Sequence, residues 1–151
     1  MKKATLLGLV GLVLGSFSTT TLFSEQQTGT LVVTVTDIDP DYEGQLLVTL
    51  FDEEEGFPND YDTGVEIKTI PVRTQKQITV SFENIPFGTY AVAVLHDEDF
   101  DAKMDYNWVG IPTEGWVCSN EVFPSLRSPY FSESSFTFDS SRKTLTLEID
   151  Y

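Results

Sequence analysis

The residues of this chain best suited to chemistry are gathered between His96 and Asn120, in HDEDFDAKMDYNWVGIPTEGWVCSN, which holds its one histidine, its one cysteine and both tryptophans. Asp97, Asp99, Asp101 and Asp105 recur at alternate or near-alternate positions, the spacing by which a turning loop aims several carboxylates at one hard cation. Counted from Asp97, acids fall at the first, third, fifth and ninth places of an EF-hand loop, with the Lys103 carbonyl at the seventh. The match then stops. Ala102 stands where that loop needs glycine and Trp108 where it needs a bidentate glutamate, so a helix-loop-helix hand is excluded. Glu114, Glu121 or the acids from Asp52 to Glu55 are left to complete a ligand shell.

Five acids and one lysine lie between Asp97 and Asp105. Two carboxylates held ~5 Å apart repel by roughly 1 kcal/mol in a water-like dielectric and by more when shielded. Two readings follow. A divalent cation, calcium by the hardness of the donors, relieves the repulsion and orders the loop; or the loop is solvated and its aspartates cap turns through local backbone hydrogen bonds.

Other chemistry has less to stand on. One histidine excludes a multi-histidine zinc site. A hydrolase built from Cys118, His96 and Asp97 needs only that they meet in space, yet no nucleophile elbow or oxyanion loop accompanies them. The expectation is a protein that binds rather than catalyses. Cys118 reads as a small buried hydrophobe, and His96 as the end of a strand, bonded to the loop that follows. Trp108 and Trp116, with Asn107, Asn120 and His96 nearby in sequence, read either as a surface for a glycan or peptide or as covers over one end of the fold.

The elements that must position these residues are strands. Thr30–Thr36 alternates polar and apolar residues, and Asp37-Ile-Asp-Pro-Asp41 ends it with turn formers. Gln45–Phe51 follows after Gly44, and the two segments are expected to pair antiparallel. Asp52 to Gly64 lacks periodicity and reads as an exposed loop, with Phe57 pinning it to the core. Val65–Val72 and Gln77–Phe82 are further strands; in the second, Ile78, Val80 and Phe82 share one face. Ile85-Pro-Phe-Gly-Thr-Tyr90 leads into the apolar Ala91–Leu95, and Phe131–Phe138 and Lys143–Ile149 close the chain as two more. Seven or eight short strands without helical periodicity predict an all-β fold, a sandwich of two antiparallel sheets.

At 151 residues the chain has the length of one domain. With 24 acids against 9 bases its formal charge is -15, which sets it against nucleic acid and anionic membrane surfaces and toward cations or basic partners. Lys2 and Lys3 precede the apolar run Leu6–Leu14, with small residues at Ser16 and Ser18, the layout of a secretory signal peptide over residues 1–24 cut near 18 or 24. The run is shorter than the roughly 20 residues that span a bilayer. The expected product is a single domain over 25–151, exported to the periplasm or beyond, with no membrane span after cleavage and a protein or glycan ligand in the envelope or outside the cell.

The Pro86-x-Gly88-Thr89-Tyr90 lead-in resembles the corresponding turn of transthyretin-like and carboxypeptidase-regulatory-like domains, which implies a β-sandwich of the Ig-like or prealbumin-like kind. A stronger resemblance rests on His96-Asp97, Asp99, Asp101, Lys103 and Asp105, then Gly110-Ile-Pro-Thr-Glu-Gly115 and Ser119-Asn120. These residues are similar to those of an exported bacterial family known as domain of unknown function 2141, from about Gly29 onward. The resemblance implies no activity. Two departures stand out: Asp101-Ala102 replaces an Asn-Gly pair, which weakens the tight turn, and Cys118 replaces a larger apolar residue.

Overall fold

The structure, a computed structural model, describes residues 26–124 and 127–151, so the expected leader over residues 1–24 lies outside the described residues. Eight strands follow one another: β1 Thr28–Thr36, β2 Gly44–Phe51, β3 Glu66–Val72, β4 Ile78–Pro86, β5 Gly88–Asp97, β6 Trp116–Cys118, β7 Phe136–Phe138 and β8 Arg142–Glu148. They form two sheets. One has the order β4-β1-β8; the other has the order β3-β2-β5-β6, with β7 paired to the start of β5.

Side-chain alternation explains how the two sheets share a core. Leu31, Val33 and Val35 of β1, Ile78, Val80 and Phe82 of β4 and Leu147 of β8 meet Leu46, Val48 and Leu50 of β2 and Val92 and Val94 of β5 in one buried cluster. The intervening positions of the larger sheet face the other way. Leu47 and Phe51 of β2 and Ala93 and Leu95 of β5 form a second cluster with Tyr61 and Cys118. Strands apolar on both faces need cover on both faces, and here long loops supply the second cover. Burying each large side chain contributes about 1.5–3 kcal/mol.

Several pairings differ from the sequence expectation. β1 and β2 are not partners: β1 lies between β4 and β8, and β2 between β3 and β5. The connection after β1 carries the chain from one sheet to the other, as does the Pro86–Gly88 lead-in, whose Tyr90 hydroxyl donates to the Pro86 carbonyl at 2.9 Å. The sheets are not wholly antiparallel either, because β8 runs parallel to β1 from Thr30↔Arg142 to Thr36↔Glu148. The segment Phe131–Phe138 is not one strand. Phe131–Ser134 is a single helical turn, closed by a Glu133 carboxylate that accepts the Tyr130 N–H at 2.9 Å, and only Phe136–Phe138 pairs.

The chain beyond β8 links the two sheets. Ile149 N–H still donates to Thr36 of β1 at 3.1 Å, but Asp150 exchanges a pair of backbone hydrogen bonds, of 2.8 and 3.1 Å, with Trp116 of β6. Tyr151 then reaches back to the connection after β1, where its hydroxyl accepts the Asp39 N–H at 3.0 Å and its ring stacks on Tyr42.

Candidate functional site

The acidic loop begins where β5 ends. Asp97 follows Leu95 and Ala93 on the outward face of the larger sheet and is fully buried. Its carboxylate accepts Gln45 Nε2 at 2.7 Å, Asp101 N–H at 3.1 Å and Ala102 N–H at 3.2 Å. Gln45 is its register partner on β2, so the sheet fixes the carboxylate and the carboxylate fixes the loop. Asp99 accepts the Asp101 N–H at 3.2 Å and Asp101 the Lys103 N–H at 2.8 Å. Glu114, 4 % exposed, ties the two ends of the loop together by accepting the Glu98 N–H at 2.8 Å and the Asp105 N–H at 3.0 Å. The turn requires left-handed backbone at Phe100 and Ala102, with φ of 67° and 59°. Ala102 therefore holds a conformation that glycine adopts at no steric cost.

Of the six residues read from sequence as metal ligands, the fold brings three together. One carboxylate oxygen from each of Asp97, Asp99 and Glu114 lies within 4.8 Å of the others. Calcium binds oxygen at 2.3–2.6 Å, so oxygens up to about 5 Å apart can touch one ion. Asp99 and Glu114 keep unused lone pairs after their N–H bonds, while Asp101, Lys103 and Asp105 stand outside this group among exposed residues. Burial raises the Glu114 carboxyl above its usual range; the Glu98 and Asp105 N–H groups pull against that, and the charges of Asp105 and Asp97 add to it. Glu121 is engaged elsewhere, accepting the Glu148 N–H at 3.0 Å, and Asp52 to Glu55 are exposed.

His96 and Cys118 do not assemble with Asp97. Strand alternation puts His96 on the face of Val94, toward the core between the sheets, where it is fully buried and its Nδ1 lies 2.7 Å from the Tyr151 hydroxyl. That contact replaces the expected bond to the following loop. Cys118 pairs in register with Ala93 and packs in the outward cluster, on the opposite face of the same sheet. Burial pushes its thiol up to about 12, which keeps it protonated.

The loop's apolar residues do something the sequence reading did not foresee. Met104, Tyr106, Ile111 and Pro112 roof a cavity of about 290 Å³ over the outward cluster. Buried Tyr61 and half-buried Trp116 supply two further aromatic walls, and Asn59, Arg127 and Ser128 stand among the lining residues. Phe57, as expected, pins the Asp52–Gly64 loop beneath, edge-on to Phe51 and Phe131. The available signal was the density of Val, Ile, Pro and aromatic residues in segments with no strand periodicity.

The residues read as a ligand surface divide. Trp116 lines the cavity and packs on Phe123, with ring centres 5.1 Å apart, and Trp108 is 95 % exposed on the loop. Asn107 accepts the Val109 and Ile111 N–H groups, and Asn120 donates to the Glu133 and Ser135 carbonyls. Both amides thus fix local backbone.

Among known proteins, no curated protein and no solved structure matches this chain. A family profile does: the one described as "Uncharacterized protein conserved in bacteria (DUF2141)" matches residues 33–146, a span that runs from β1 into β8 and takes in the whole acidic loop and the cavity it roofs. On that match over most of its length, the chain belongs to the DUF2141 family.

Proposed function

We propose that this chain is an exported binding module, a β-sandwich of the Ig-like or prealbumin-like kind that holds a ligand on one outer face, beneath an acidic loop ordered by calcium. The observation that carries the reading is one loop with two working sides. Residues 98–115 present Glu114 and Asp99 toward Asp97 at one end, and Met104, Tyr106, Ile111 and Pro112 to the cavity. A concave space with apolar walls and a few polar groups at hand is the usual form of a ligand site.

Calcium binding is supported by the 4.8 Å grouping of three carboxylate oxygens, two of them on buried residues. Like charges at that distance repel by about 1 kcal/mol in a water-like dielectric, so a divalent ion there removes a cost as well as forming bonds. Export is supported by Lys2, Lys3 and the apolar run that follows them. A binding rather than catalytic role is supported by the sheet that separates Cys118 from His96. Exposed Trp108, close in sequence to the roof of the cavity, offers a ring face to a glycan or to an apolar peptide side chain.

Thermal unfolding of the leader-free protein in excess chelator, and again in millimolar calcium, tests the reading. The expected result is a rise of several degrees with calcium that magnesium does not reproduce, because magnesium demands tighter octahedral geometry and sheds water reluctantly. Equal melting temperatures in all three conditions would remove calcium from the proposal.

A further inference from the structure

The cavity under the acidic loop is lined by three aromatic rings, Tyr61, Tyr106 and Trp116, and by the Met104 thioether. The faces of aromatic rings are electron-rich and attract cations, most strongly when the site is shielded from water. Thioether sulfur is soft and polarisable and adapts to a rounded apolar surface.

The surroundings carry negative charge. Residues 98–115 hold five acids and one lysine, Lys103, which is exposed, within a chain of formal charge -15. Among the described residues that line the cavity Arg127 is the one cation, and its charge is already matched. It makes a two-pronged ion pair with Glu133 at 2.7 and 2.8 Å and lies over the Tyr130 ring at 4.0 Å.

We infer that the ligand of this cavity is an organic cation, a quaternary or fully alkylated ammonium group that is seated among Tyr61, Tyr106 and Trp116 and attracted by the acids of the loop above. The inference rests on the ligand-pocket reading proposed above and names the chemical class that the pocket selects. A cavity of about 290 Å³ lies at the small end of ligand pockets and suits one compact headgroup rather than a chain of sugars. The alkyl shell of such a cation satisfies the apolar walls, and its charge satisfies the field, without any hydrogen bond from the protein. Neutral apolar groups of the same shape gain only the first of these.

Choline and its uncharged tert-butyl analogue, in which carbon replaces nitrogen, separate the two contributions. Each is titrated at fixed ionic strength, with calcium present, into the wild-type protein, and binding is read from tryptophan fluorescence. The expected result is saturable quenching by choline with an affinity about tenfold or more above that of the analogue, and a loss of about tenfold in choline affinity in Tyr106→Leu, whose ring is half exposed. Equal binding of the two probes, or preference for the uncharged one, would overturn the cation while leaving the pocket standing. Absence of binding by either would likewise overturn the cation.

Discussion

Asp97 is the joint between the larger sheet and the acidic loop, and Asp97→Asn is the perturbation that weighs its roles against each other. The substitution keeps the shape and removes the charge. The carbonyl of asparagine can retain Gln45 Nε2 and the Ala102 N–H, while the amide faces the Asp101 N–H and loses that bond; Asp99 still accepts from the same N–H at 3.2 Å. Hydrogen bonds to an ionised acceptor contribute about 1.5–3 kcal/mol against roughly 1 for neutral pairs. Two weakened bonds and one lost bond therefore cost about 3 kcal/mol. Removing the repulsion from Asp99 and Glu114 returns about 1 kcal/mol for each pair in a water-like dielectric. The net expectation in chelator is a loss of about 1 kcal/mol, or about 3–5 °C in melting temperature for a domain of this size. Calcium then widens the gap, because the wild-type protein gains stability and the variant loses a ligand. Scanning calorimetry in chelator and in calcium measures both. An Asp97→Asn variant that melts at or above the wild-type temperature in chelator would refute the anchoring role, and a gap indifferent to calcium would refute the ligand role.

Ala102→Gly is expected to stabilise the protein by about 0.5–1 kcal/mol, since an L-residue at φ 59° costs about 1–2 kcal/mol and the extra freedom of unfolded glycine offsets part of the gain; urea unfolding reads the difference. The pH dependence of stability carries two opposed slopes. Burial lowers the His96 pKa from 6.5, with Asp39 and Asp97 pulling the other way, so below pH 6.5 the unfolded chain binds more protons at this site and stability falls as pH falls. Burial raises the Glu114 pKa from 4.5, so above pH 4.5 the folded chain binds more protons and stability falls as pH rises through the raised value. His96→Gln is expected to remove the first slope and Glu114→Gln to reduce the second, to which burial of the Glu98 carboxyl also contributes, and melting temperatures between about pH 4.5 and 7 would show a reversed assignment if either sign is wrong.

How much was legible depended on whether a feature is written in consecutive residues. The strands were, because Ile78, Val80 and Phe82 or Leu46, Val48 and Leu50 declare a buried face by alternation alone. Their partners were not. Sequential strands are spatial neighbours only about two-thirds of the time, and nothing in Asp37–Glu43 says that the chain crosses to the other sheet there. Strand β6 has three residues, too few to show a period, and Phe131–Ser134 resembles the strand it precedes because its phenylalanine serves packing in a helical turn. In the acidic loop, spacing pointed to Asp97, Asp99, Asp101 and Asp105 alike, and the fold draws only Asp97 and Asp99 of these toward Glu114. Spacing did not distinguish these two from Asp101 and Asp105, because which carboxylate turns inward is decided by Gln45 on another strand and by Glu114 at the far end of the loop. The cavity was the least legible feature, since its walls come from separate stretches of chain.

The parallel ladder between β1 and β8 has a mechanical meaning. The strands are joined from Thr30↔Arg142 to Thr36↔Glu148, with the amino-terminal flank of the chain at one end of the ladder and the carboxyl-terminal flank at the other. Tension applied through the two flanks pulls these neighbours past each other along their length, so the bonds share the load and must break together instead of opening one at a time like a zip. The hydrogen bonds from Asp150 to Trp116 transfer part of that load to the second sheet. Such a shear clamp keeps the two sheets joined under stretching.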